Sequence, residues 1–93
     1  MTDEQNKAVN EIMDWFDFEK VHKTMRVLRW KWSGTEEGVP LLGEIKQRAR
    51  QLLVQSIEEN TTISTGGFRA TYSHYENHLN LEFILSECES YIE

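Results

Sequence analysis

The sequence predicts an α+β domain of two layers, about three helices packed on a small antiparallel sheet. Three observations carry that expectation. Apolar residues recur with a period near 3.6 from the N-terminus to Glu59, and the period drops to 2 after Asn60. The 93 residues suffice for one modest core, so residues 1–93 are expected to form a single domain. Finally, an isolated two-stranded hairpin is marginal in water, so the alternating C-terminal runs need a helical layer to cover them.

The first helix is expected over residues 3 to about 14. Val9, Ile12, Met13 and Phe16 share one stripe, with Thr2 or Asp3 as N-cap and Asp3 and Glu4 at the positive end of the helix dipole. Asp17 caps a second helix, with Phe16 and Val21 at the positions of a hydrophobic staple. On that helix Phe18, Val21, Met25 and Leu28 form the apolar face, and the cations lie opposite. Ser33 to Gly38 is a loop by composition, with two glycines and no apolar residue. Pro40 suits the first turn of a third helix, from about Leu41 to Glu59. There Leu41, Leu42, Ile45, Ala49, Leu52, Leu53, Ser56 and Ile57 fill one broad stripe, and Asn60 terminates it.

Beyond Asn60, Thr61 to Thr65 is β-branched and polar, and Gly66-Gly67 is a tight turn between short strands or a bulge in one long strand. Phe68, Ala70 and Tyr72 then alternate with polar residues, as do Leu79, Leu81, Phe83 and Leu85, which makes an antiparallel hairpin with one buried face. Ser86 to Glu93 forms a helical turn or a frayed end.

Arg29-Trp30-Lys31-Trp32 admits two readings. As the end of the second helix it points Trp32 inward and Trp30 onto a basic outer face. As a strand over 28–32 it puts Leu28, Trp30 and Trp32 on one face and both cations on the other. The hairpin's need for a partner favours the strand, with both rings as packing anchors and Arg29 and Lys31 at the surface. Exposure of Trp30 would instead weight the stretch towards binding.

Composition excludes more than it identifies. No apolar run approaches the roughly 20 residues that cross a bilayer, and the polar, acidic start resembles neither a signal nor a transit peptide, so a cytoplasmic protein is expected. Cys88 is the only cysteine and has no internal disulfide partner, and its simplest role is as a small packed residue. The net charge of −6 argues against general nucleic-acid binding, which needs a basic footprint. The charge is also uneven. Residues 17–32 hold five cations against two acids, whereas from His74 onward there are five glutamates and no lysine or arginine.

Phosphate loops, dinucleotide fingerprints, nucleophile elbows and zinc-finger spacings do not occur in the sequence. His74 and His78 have an i, i+4 spacing that suits a metal only on a helix, and they fall in the hairpin connection. Neither catalysis, a metal nor a cofactor is therefore expected. The candidate binding residues are Lys23, Arg26, Arg29, Trp30 and Lys31, an aromatic–cationic surface that could stack a base or receive an acidic partner. Gly66, Gly67 and Arg69 could add a second anion contact through exposed amides and a guanidinium.

Four segments carry a resemblance: Asp17-Phe18-Glu19-Lys20-Val21-His22-Lys23, Trp30-Lys31-Trp32, Val39-Pro40 and Ile63-Ser64-Thr65-Gly66-Gly67-Phe68. Together, over roughly residues 15–85, they resemble a set of small proteins of tailed phages and prophages. Many members of that set have a capping residue after the Val-Pro pair, where this chain has Leu41-Leu42. The resemblance implies action in the cytoplasm of an infected bacterium. It implies a non-enzymatic inhibitor of host defence that binds a host protein or sequesters a nucleotide signal, and with the uneven charge, which could support head-to-tail self-association, an oligomer is expected. The alternatives are an accessory of phage structure or assembly and an acidic mimic of nucleic acid built on the glutamate-rich C-terminal region.

Overall fold

The computed structural model describes residues 1–76 and 78–84. Three helices, α1 (Asp3–Trp15), α2 (Phe18–Ser33) and α3 (Leu42–Glu59), precede three strands, β1 (Thr62–Thr65), β2 (Phe68–Ser73) and β3 (His78–Phe83). The strands form an antiparallel meander in the order β1-β2-β3. One face carries the helices, so the domain is α+β in two layers.

The helix starts follow capping chemistry. At α1 the Thr2 hydroxyl accepts from the Gln5 amide while the Gln5 side chain accepts from the Thr2 amide, a reciprocal capping box. At α2 the Asp17 carboxylate accepts from the Lys20 amide at 3.0 Å. α3 begins without such a bond, because Leu41 occupies the cap. Pro40 therefore stands just before α3 and its cap, not within the first helical turn as expected. Asn60 closes α3 in the left-handed conformation, φ 49°. Its side-chain oxygen accepts from the His74 amide, which ties the end of α3 to the end of β2.

The core lies between α3 and the helix-facing side of β2. Ile45, Ala49, Leu52, Leu53, Ser56 and Ile57 of α3 are buried, as are Phe68, Ala70 and Tyr72 of β2. Ala49 and Ala70 have no exposed surface, and their small side chains let the helix approach the central strand closely. Ser56, buried among them, satisfies its hydroxyl on the Leu53 carbonyl at 2.7 Å. The four phenylalanines gather at one end. Phe16, Phe18, Phe68 and Phe83 meet with ring centroids 4.9–6.2 Å apart, which pins the α1–α2 joint to the sheet. The other sheet face is polar, lined by Thr62, Ser64, Arg69, Thr71, Asn80 and Glu82.

The expected strand at 28–32 is not formed, and this corrects the favoured sequence reading. Leu28 to Trp32 belongs to α2, which runs on to Ser33 and ends where Gly34 takes the left-handed conformation, φ 72°, its amide donating to the Trp30 carbonyl. The third strand is Thr62–Thr65 instead. Gly66 and Gly67 both have positive φ, 60° and 89°, as a two-residue hairpin turn of type I′ requires. Closing that short loop costs far less chain entropy than recruiting a strand more than thirty residues upstream. Leu85, the expected turn at Ser86 to Glu93 and Cys88 lie outside the described residues.

Candidate functional site

α2 buries only its first half. Phe18, Val21 and Met25 are in the core and Leu28 is half-buried, but Trp32, one more turn along the same stripe, is 53% exposed. Trp30, on the outward face with Val27, is 62% exposed. Both rings were expected as packing anchors, and both instead lie at the surface. The reason is geometric. The apolar stripe continues, but the helix overruns the body that covers its beginning. At a helical 100° per residue the two tryptophans point to nearly opposite sides, so the distal half of α2 presents an aromatic ring on each flank.

The four candidate cations of α2 divide into two groups. Arg26 and Arg29 face the loop that follows the helix. Arg26 makes two hydrogen bonds to the Glu36 carboxylate, at 3.2 and 3.3 Å, and the Arg29 Nε donates to the Glu37 carbonyl at 2.9 Å. The Arg29 guanidinium also lies against Gly38, whose φ of 89° lets the backbone turn there. These arginines hold the 34–40 loop against the helix. Lys23 and Lys31 stand on the outward face one turn either side of Val27, exposed and in no ion pair among the described residues. With Trp30 and Val27 they form a stripe of two cations and two apolar side chains.

The second candidate group does not join the first. Arg69 projects from the polar sheet face, away from the helices, where it lies 3.7 Å from Glu82 on β3 and 3.4 Å from the Ser64 hydroxyl on β1. Gly67 is buried, and its carbonyl accepts from the Ile84 amide at 2.6 Å. The glycines serve the turn, and Arg69 serves the cross-strand ladder.

A feature that the sequence reading missed lies on the helix side of the same turn. A cavity of about 350 Å³ opens between α3 and Gly66, floored by Met25, Ile45, Leu52 and Phe68 and rimmed by Arg48 and Gln55. The spacing of Ile45, Arg48, Leu52 and Gln55 puts them on one flank of α3, but nothing in that pattern marks a cavity.

No group of three His, Cys, Asp or Glu side chains is placed to hold a metal among the described residues. His74 lies in a turn and His78 opens β3. Among the described residues no helix is long and apolar enough to cross a membrane. No protein-family model, curated protein or solved structure matches the chain.

Proposed function

We propose that this protein is a phage-encoded, non-enzymatic binding module that antagonises a host process by docking the distal half of α2 on a host protein in the bacterial cytoplasm. The observation that carries the docking step is the exposure of Trp30 and Trp32 on a helix that overruns its own core. Large exposed aromatics beside cations are the residue types from which interface hot spots are built. Lys23 and Lys31 favour an acidic partner surface, through steering more than through raw affinity. Those like charges weigh against pairing α2 with α2 of a second copy, so self-association, if it contributes, uses another face. The phage and host-defence parts of the reading rest on the sequence resemblance alone.

Sequestration of a nucleotide at Gly66, Gly67 and Arg69 has less support, since Arg69 faces away from the glycines' helix side and sits beside a carboxylate. The test is affinity capture from infected bacteria with the wild-type chain and with the Trp30→Ala/Trp32→Ala double variant. A host protein retained by the first and lost by the second is the expected result. Equal retention by both overturns the docking surface. Recovery of the protein in purified phage particles points instead to the assembly accessory.

A further inference from the structure

We propose that β1 is an interface for a second copy of this chain. Two β1 strands pair antiparallel about a two-fold axis at Ile63 and join the two sheets into one. The pairing uses none of the α2 residues proposed to dock a host protein.

The backbone sets the starting point. β1 is an end strand, and among the described residues β2 is its one strand neighbour. The two-residue turn at Gly66-Gly67 makes Thr65 and Phe68 the hydrogen-bonded pair that closes the hairpin. Alternation gives Ile63 and Ala70 the next such bonds, while Thr62 and Ser64 turn their amides and carbonyls away from β2. Two observations agree with that phase. The Gly67 carbonyl accepts from the Ile84 amide, so Gly67 bonds towards β3 and its neighbour Phe68 towards β1. The side chains of Thr62 and Thr71, and of Ser64 and Arg69, meet at 3.4 Å, as the closer non-hydrogen-bonded pairs allow. The outer edge of β1 therefore presents a donor and an acceptor from Thr62 and again from Ser64.

The side chains select a second copy as the occupant. Strand edges are commonly blunted by lysine, proline, a bulge or an inward charge, and Thr62-Ile63-Ser64-Thr65 has none of these. An uncharged strand meets no like charge when it lies against its own copy. With the axis at Ile63, Thr62 faces Ser64 of the second copy, so hydroxyl meets hydroxyl on the polar face. On the helix-facing side Ile63, the half-buried apolar residue of the strand, meets Ile63. A shift of two residues either way sets Ile63 against Thr61 or Thr65 and loses that match. The acidic flank is kept apart as well, because Glu59 comes opposite Gly67 and not opposite another Glu59. The other end strand is less suited, since β3 carries Glu82 and has α1 beside it.

A four-residue strand buries less than the roughly 800 Å² per partner of a standard interface, so a weak dimer is expected, with Kd of about 10–100 μM. The net charge of −6 on each copy opposes association at long range. Raising salt screens that repulsion and should strengthen the dimer, the reverse of lysine-steered docking at α2. Failure of one interface is thereby distinguishable from failure of the other.

The experiment follows the full-length chain by sedimentation equilibrium and amide NMR from about 10 μM to about 1 mM, bracketing the expected Kd. A reversible monomer–dimer equilibrium is expected, with concentration-dependent shifts centred on Thr62, Ile63 and Ser64. Ser64→Pro removes an outward amide that β2 does not use, so it should abolish the dimer and leave the fold intact. In a Cys88→Ser chain, Ile63→Cys should cross-link to its own copy under mild oxidation, because residues facing on the axis lie within disulfide reach. Thr65→Cys should not, being displaced along the strand from its counterpart. A chain that stays monomeric over the whole range overturns the proposal. So do a dimer that survives Ser64→Pro, equal cross-linking at 63 and 65, and amide protection of Thr62 and Ser64 that is independent of concentration.

Discussion

The two halves of α2 carry one apolar repeat and meet opposite fates. Phe18, Val21 and Met25 are in the core, whereas Trp32, at the next repeat after Leu28, is more than half exposed. Composition does not separate them, since the distal half is the richer in large apolar side chains. What differs is the structure opposite. The proximal half faces α3 and the phenylalanine cluster; beyond Leu28, which packs on the edge of the core, the distal half has, among the described residues, the 34–40 loop along one flank. Periodicity tells which face of a helix is apolar; the length of the neighbouring elements decides how much of that face is buried.

The comparison is most easily broken by truncating one ring in each half. Phe18→Ala should cost about 3–5 kcal/mol, as expected for emptying a core site of a phenyl ring. A loss of that size takes much of the stability of a small domain. Trp32→Ala should cost less than about 1 kcal/mol, typical of a surface position. Urea unfolding followed by far-ultraviolet circular dichroism measures both. Comparable losses would mean that the distal half is packed after all. Tryptophan emission is a poor probe for this, since Trp15, Trp30 and Trp32 are all more than half exposed in the folded chain.

The second prediction reverses the order of the two halves. Against a captured partner, Trp30→Ala should weaken binding by about 2 kcal/mol or more, the range of an interface hot spot, with unfolding unchanged. Lys23→Ala and Lys31→Ala should lower mainly the association rate, and the effect should fade as salt is raised. A salt-independent loss in the dissociation rate alone would show that the lysines are buried contacts rather than steering charges.

Most of the layer architecture was legible because it is written in local signals. The capping residues Thr2 and Asp17, the stripe from Ile45 to Ile57, the left-handed stop at Asn60 and the alternation through β2 and β3 each act over a few residues. What was misread was a competition between two local signals. Leu28, Trp30 and Trp32 alternate, but so briefly that the pattern also fits a helix, and Gly34 as a C-cap decides for the helix. The actual third strand was partly hidden, because Thr62 to Thr65 buries almost nothing and lacks the apolar alternation that marks a strand. The cavity could not be found from sequence at all. It arises from α2, α3 and a turn meeting in space, and its missing volume belongs to no single residue.

A third prediction concerns how helices begin. α2 has a carboxylate cap and α3 has Leu41, 70% exposed, in the same role. Asp17→Ala should lose about 1 kcal/mol, and Leu41→Asp should gain about the same by supplying the missing acceptor. Thermal unfolding of the two variants reads both signs. A destabilised Leu41→Asp chain would show that the leucine makes a contact worth more than a cap.

The smallest effect belongs to the loop that straps α2. Arg26 and Glu36 form a bidentate pair, yet their side chains are 47% and 50% exposed, so solvent screens most of the attraction. Arg26→Ala should therefore change global stability by no more than about 0.5 kcal/mol, and less in high salt. Its local effect should be larger than its global one, because Arg26 and Arg29 are what fix the loop to the helix. Amide exchange across residues 34–38 should quicken in Arg26→Ala while that of α3 stays as it was. If α3 exchange quickens equally, the loop is part of the cooperative core, and the distal half of α2 is held more firmly than its exposed tryptophans indicate.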